Sequence, residues 1–165
     1  LKSPQFWLKQ LRDLALISIV FYVMGSYLQR DMVTGPAPAL SGIAIDGSQL
    51  ALSTNNTTPT LVYFWGTWCP VCRITSPMVE SVSESHRVIS VAVASGSDTE
   101  VQSFMAEHQY HFPVLNDDNG AQSHAWGAMA FPAIYIVDNE GQIRYVTSGV
   151  TSTLGMKFRL WLAKF

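Results

Sequence analysis

Apolar residues follow two rhythms along the chain. Near the N-terminus, Leu14 to Gln29 contains no charged residue, and Ala15 to Val23 is aliphatic and aromatic apart from Ser18. Trp7 to Leu28 is apolar on all faces in its second half, with little one-sided stripe to bury, which predicts a membrane-spanning helix rather than a core helix. From residue 60 onward, short β-branched and aromatic runs alternate with helical periods. Leu61 to Trp65, bounded by Pro59 and Gly66, and Val88 to Ala94 predict buried strands. Ser97-Asp98-Thr99-Glu100 is a capping box, and Val101, Phe104, Met105 and His108 follow at i, i+3, i+4 and i+7, which predicts a helix. A short strand at Phe112 to Leu115 and a short helix at Ala121 to Trp126 come next. Ala133 to Val137 and Gln142 to Thr147 flank Asn139-Glu140-Gly141 as a hairpin, and Ile43 to Leu52 turns at Asp46-Gly47 in the same way. Leu154, Phe158, Trp161, Leu162 and Phe165 predict the inner face of a last helix. The alternation is that of an α/β fold with a mixed sheet.

The uncharged run changes the expected location of everything after it. Its sixteen residues span about 24 Å as a helix, against a hydrocarbon core of ~30 Å, and Arg12 and Arg30 are placed to snorkel. Trp7, Tyr22 and Tyr27 supply interfacial anchors. Lys2, Lys9 and Arg12 outweigh Asp13 before the run, while Arg30 and Asp31 cancel after it, so the positive-inside rule leaves the N-terminus cytoplasmic and exports the rest. Ala37-Pro38-Ala39 resembles a signal-peptide cleavage site but lies well beyond the apolar run and contains Pro38, which favours a retained anchor. Met32 to Pro38, with Gly35, Pro36 and Pro38, reads as a stiff linker. Residues 1–35 are thus assigned to a cytoplasmic N-terminus, transmembrane anchor and linker, and residues 36–165 to one domain.

Composition adds mainly exclusions. The chain of 165 residues is 48% apolar and 13% charged. Residues 36–165 hold six Lys/Arg and ten Asp/Glu without a basic cluster, which argues against nucleic acid as a partner. Neither an internal repeat nor a Gly-rich phosphate loop is present.

The chemistry is concentrated in Phe64-Trp65-Gly66-Thr67-Trp68-Cys69-Pro70-Val71-Cys72-Arg73, which holds the two cysteines of the chain. Cys69 falls at the N-cap of a predicted helix, and Pro70 takes the first helical position, where its missing N–H costs nothing. A sulfur there faces unpaired backbone N–H groups and the positive end of the helix dipole, both of which favour thiolate. Cys69 is therefore the predicted nucleophile. Cys72, one turn behind, is the predicted resolving thiol of a redox-active disulfide. A purely structural bridge would gain little from so short a loop. A zinc site would need further Cys or His ligands at finger spacing, and His108 and His111 do not provide it. Two thiolates could hold Cu(I), although neither Met nor His stands beside them. The reading calls for neither cofactor nor metal.

These residues resemble a known family, the membrane-anchored thioredoxin-like proteins of the bacterial periplasm in the TlpA/ResA/DsbE group. The resemblance covers roughly Pro36 to Phe165. It rests on the strand and helix joined by Trp68-Cys69-Pro70-Val71-Cys72, on Pro77, on Phe131-Pro132 before an apolar strand, and on the Asp138-Asn139-Glu140-Gly141 turn. It implies a thioredoxin fold with an N-terminal β-hairpin and a central insertion within Val101 to Gly127, preceded by one transmembrane helix. It also implies that Pro132 is a cis-proline beside the dithiol, where a client chain binds as an added strand; Trp68 is read as bordering the site, with a packing role as the alternative, and Phe131 as shaping the groove. The implied activity is protein disulfide exchange in the periplasm, acting on protein thiol and disulfide clients. The implied direction is reduction, with a membrane thiol reductase as electron donor. A disulfide-forming oxidant and a Cu(I)-holding copper-tolerance module are the alternatives. Two departures stand out: Tyr63 occupies the place of thioredoxin's buried Asp, and Thr75 the place of the Glu in cytochrome c maturation members. Both acids carry protons near the thiols in those proteins, so the cytochrome-specific role is not implied here.

Overall fold

The computed structural model describes residues 4–53 and 57–165. In chain order the elements are α1 (Pro4–Gln29), β1 (Gly35–Pro36), β2 (Ser41–Ile43), β3 (Gln49–Ala51), β4 (Thr60–Trp65), α2 (Pro70–Ser83), β5 (Arg87–Val93), α3 (Asp98–Glu107), β6 (Val114–Asp117), α4 (Ala121–Ala125), β7 (Ala133–Val137), β8 (Gln142–Ser148) and α5 (Thr153–Leu162). Six strands form one mixed sheet in the order β1-β8-β7-β4-β5-β6. Strands β4, β5 and β6 run parallel, joined through α2 and α3, while β7, β8 and β1 pair antiparallel. The β2/β3 hairpin stands apart and meets the edge strand β6 through an Ala44 to Leu115 bridge. This is the thioredoxin-like α/β architecture with its N-terminal hairpin.

Strand β4 is apolar throughout because both of its faces are covered, and all six of its residues are buried. Its period of two sends Leu61, Tyr63 and Trp65 into the core under α2, α3 and α5, and Val62 and Phe64 into the core beside Trp126 and Tyr135. The carboxyl end of β4, at the middle of the sheet, therefore delivers the chain directly to the start of α2. Helix α3 begins with the expected capping box, Ser97 and Glu100 each satisfying the other's backbone N–H. Helix α2 runs through Pro77 as one element.

Three expectations are corrected. The first is the membrane span: among the described residues no helix is long and apolar enough to cross a membrane. Ser18, Gly25, Ser26 and Gln29 dilute the uncharged run, and the Arg12–Asp13 ion pair lies within α1. The expected bilayer anchor and the topology built on it lose their footing, and Lys2, counted in the charge balance, lies outside the described residues. The second is the linker. Met32 is buried, β1 extends the main sheet, and Val33 N–H donates to Trp126 O at 3.1 Å. Gly127, at φ +65°, permits this docking, because a Cβ there would lie 1.7 Å from the Asp31 carbonyl oxygen. The third is the inner face of α5. Met156, Leu160 and Ala163 face the core, while Leu154, Phe158, Trp161 and Phe165 face outward.

Candidate active site

The turn from β4 into α2 is held by backbone groups and one serine. Cys69 N–H donates to Gly66 O at 3.1 Å, and Thr67 N–H donates to Ser95 Oγ at 3.1 Å. Ser95 Oγ in turn donates to Val93 O at 3.0 Å, and the same carbonyl accepts Trp68 Nε1–H at 3.0 Å. The Trp68 ring lies against Gly66, where a Cβ would approach indole atoms to 2.7 Å, so any side chain there would displace the ring.

Cys69 is the N-cap of α2, extended at φ −91°, ψ 108°, and Pro70 follows as the first helical residue. The two cysteines form a disulfide with Cα atoms 5.2 Å apart. Cys69 Sγ accepts the Cys72 backbone N–H at 3.1 Å and lies 3.8 Å from Phe131 O. In the oxidised form this second approach is a contact; in the reduced form a Cys69 S–H could donate across it. The Phe131–Pro132 peptide bond is cis. Pro132 O is committed to Gly149 N–H at 2.9 Å. Phe131 meets Trp68 edge to face, with ring centroids 5.7 Å apart. Cys69, Cys72, Trp68, Phe131 and Pro132, singled out in the sequence, thus come together around one end of α2. Trp68, Val71, Ile74 and Met129 present exposed apolar surface there.

Behind Cys72 the surroundings are closed. Tyr63 is fully buried, its hydroxyl donates to Cys72 O at 3.4 Å, and it shares a 2.9 Å hydrogen bond with Ser76 Oγ. Burial pushes the Tyr63 phenol well above its usual range, against the smaller opposing effect of Ser76, so it stays protonated. Thr75 is buried as well and donates to Val71 O at 3.3 Å. Elsewhere, His108 stacks on Phe104, and His111 pairs with Glu80 at 3.0 Å.

Sequence reasoning had not singled out Ser76 or Ser95. Ser76 carried a signal, since it stands four residues after Cys72 on the same helix face. Tyr63 likewise lies two residues before Trp65 on a strand whose alternation sends both toward α2. Ser95 carried none, because a loop serine from another strand becomes a turn-holding group only once β4 and β5 are paired.

The Redoxin family model matches residues 32–157 of the chain. The chain belongs to the Redoxin family. It is 35% identical over 160 residues to a thioredoxin-like protein of Haemophilus influenzae, spanning 96% of this chain and 95% of that one. It is 23% identical over 111 residues to the thiol-disulfide oxidoreductase ResA of Bacillus thuringiensis, spanning 65% and 64% of the two chains. A solved secreted thiol-disulfide isomerase of Corynebacterium glutamicum superposes with a TM-score of 0.69 at 18% identity, covering 78% of this chain and 84% of that one, which is a likeness of fold. The resemblance to the TlpA/ResA/DsbE group holds at this level. Together with the Cys69–Cys72 disulfide, these relatives make the chain a thioredoxin-like thiol–disulfide oxidoreductase.

Proposed function

We propose that the chain is a reductant of protein disulfides working outside the cytoplasm, with Cys69 as nucleophile and Cys72 as resolving thiol. The observation that carries this reading is the position of Cys69 Sγ, at the N-cap of α2, accepting the Cys72 amide and facing the Phe131 backbone beside Pro132. The Cys69 thiolate attacks one sulfur of a client disulfide, the other client sulfur leaves as a thiolate and takes a proton, and a mixed disulfide forms. Cys72 then loses its proton and attacks Cys69 Sγ, which closes the Cys69–Cys72 disulfide and releases the second client thiol. Two electrons pass from the dithiol to the client. Trp68, Phe131 and Pro132 form the rim on which the client segment lies, and residues 36–165 form the catalytic domain, with residues 32–35 docked on it.

The location is supported by the secreted thiol-disulfide isomerase of Corynebacterium glutamicum that shares this fold. The stretch from Trp65 to Arg73 with Thr75-Ser76-Pro77 resembles, within the group, the suppressor-of-copper-sensitivity D protein, which supports a bacterial periplasmic setting and a membrane thiol reductase as donor. The reducing direction is supported by the donors at Cys69. Among the described residues the hydrogen bond reaching Cys69 Sγ comes from a backbone amide, not from a cation. A thiolate held by a cation would stabilise the reduced form and make the disulfide a stronger oxidant. Equilibration with thiol buffers tests the direction. The expected reduction potential lies nearer the roughly −270 mV of thioredoxin than the roughly −120 mV of strong disulfide oxidants. A value at the oxidising end would reverse the proposed direction.

A further inference from the structure

The outer face of α5 is an apolar ridge that the fold does not use. Leu154, Phe158 and Trp161 stand at i, i+4 and i+7, and Phe165, just past the helix end, continues the line through its ring contact with Trp161; they are exposed at 79%, 56%, 51% and 85%. The aromatic rings pack on one another: Phe158 and Trp161 stack at 6.0 Å, and Trp161 meets Phe165 at 5.6 Å. The opposite side of the helix, Met156, Leu160 and Ala163, already supplies the core contact. The ridge is therefore surplus to folding, and leaving it in water is unfavourable.

Charge is segregated around this ridge. Residues 36–165 carry six basic and ten acidic side chains, yet residues 141–165 hold four of the basic ones and none of the acidic ones. Arg144 pairs with Asp138 at 3.4 Å. Lys157, Arg159 and Lys164 have no carboxylate partner among the described residues, and Arg159 is steadied by Thr147 Oγ1 at 3.0 Å. Lys164 lines a cleft with Ser83, Glu84 and His86 at the end of α2, and Lys157, seven residues earlier, stands on the same side. Arg159 lies on the β8 side. An aromatic ridge with cations on both flanks has the make-up of a helix that lies in a membrane interface, rings in the acyl boundary and cations at the headgroups.

We propose that α5 is a docking face for an anionic lipid surface, on which the oxidoreductase domain rests side-on. The charges favour this occupant over a second copy, because ridge-to-ridge pairing would bring two sets of unpaired cations together. Each cation near an anionic leaflet strengthens binding about fivefold.

The test uses the 165-residue chain with phosphatidylcholine vesicles, with and without phosphatidylglycerol. The difference in fluorescence between the chain and its Trp161→Phe variant isolates Trp161 from the other tryptophans, Trp7 in α1 among them. The expected result is a blue shift of the Trp161 component and its quenching by about half or more by brominated lipids, only when anionic lipid is present. Lys157→Glu/Lys164→Glu should lower the partition coefficient at least about 25-fold. Phe158→Ser/Phe165→Ser, which leaves the inner face intact, should abolish the shift while disulfide reductase activity persists. Vesicle binding of the chain without any change at Trp161 would overturn the proposal, since another part would then hold the lipid. A shift with polyglutamate but not with vesicles would assign the ridge to an acidic protein, and ridge-dependent dimerisation in sedimentation would assign it to a second copy.

Discussion

The two sulfurs of the dithiol are three residues apart and have different neighbours. Cys69, itself only 4% exposed, lies against the Phe131 backbone, whose ring meets the half-exposed Trp68 ring. Cys72 faces inward, over a layer in which Tyr63, Ser76 and Thr75 are all buried and hydrogen-bonded. In the proposed cycle the first sulfur meets the client and the second needs to meet only its neighbour. The difference shows how a short motif divides labour: the N-cap position and the Cys72 amide favour thiolate at Cys69, while Cys72 lies one turn in, over a closed layer.

Removing either sulfur should break this division most severely. Cys69→Ser should abolish disulfide exchange outright. Cys72→Ser should leave the first attack intact and accumulate mixed disulfides, visible on non-reducing gels and absent from the Cys69→Ser protein.

Placing an acid on the closed side should blur the contrast. Thr75 is buried beside the first turns of α2, so Thr75→Glu sets a carboxylate near the thiols without solvent to screen it. The Cys69 pKa should rise by about one unit or more, and its titration should become biphasic, as followed by thiolate absorbance. The unmodified protein should titrate as a nearly simple site and should not replace a cytochrome c thioreductase in a strain lacking one.

Changes on the open side should affect clients and little else. Phe131→Ala removes the edge-to-face contact with Trp68 and should lower kcat/KM for a protein disulfide about fivefold, near 1 kcal/mol, with the reduction potential unchanged. Tyr63→Phe tests the inner side with the smallest expected effect. It deletes the hydroxyl that joins Cys72 O to Ser76 and should cost about 1 kcal/mol of stability by denaturant titration while leaving KM unchanged. Because burial raises the Tyr63 pKa in the folded state, its contribution is fully present below the unfolded phenol value and is lost as pH rises through the folded one. The alkaline decline should therefore be shallower in Tyr63→Phe, with Tyr135, raised for the same reason, accounting for part of what remains.

Much of the open side was legible because it depends on local sequence. The Cys69 N-cap, Pro70 at the first helical position and the strand ending at Trp65 are readings of neighbouring residues. The pairing of Phe131 and Pro132 with the dithiol required the family resemblance, since 62 residues separate Cys69 from Phe131. The closed side was harder. In the sequence Tyr63 stands out only as a missing acid, and its link to Ser76 appears once β4 lies under α2. Periodicity misleads most at α5: it favours Leu154, Phe158, Trp161 and Phe165, although Met156, Leu160 and Ala163 are the ones that face the core. The uncharged run in α1 was misjudged by length and dilution, since polar residues interrupt what charge counting alone had left continuous.

In the proposed cycle Cys69, not Cys72, is the thiol that a client disulfide meets. Brief alkylation of the fully reduced chain at neutral pH, followed by peptide mapping, measures this directly. Cys69 should be labelled well before Cys72, and its rate should follow a single titration lying below that of an ordinary thiol. Faster labelling of Cys72 would contradict the assignment of nucleophile and resolving thiol.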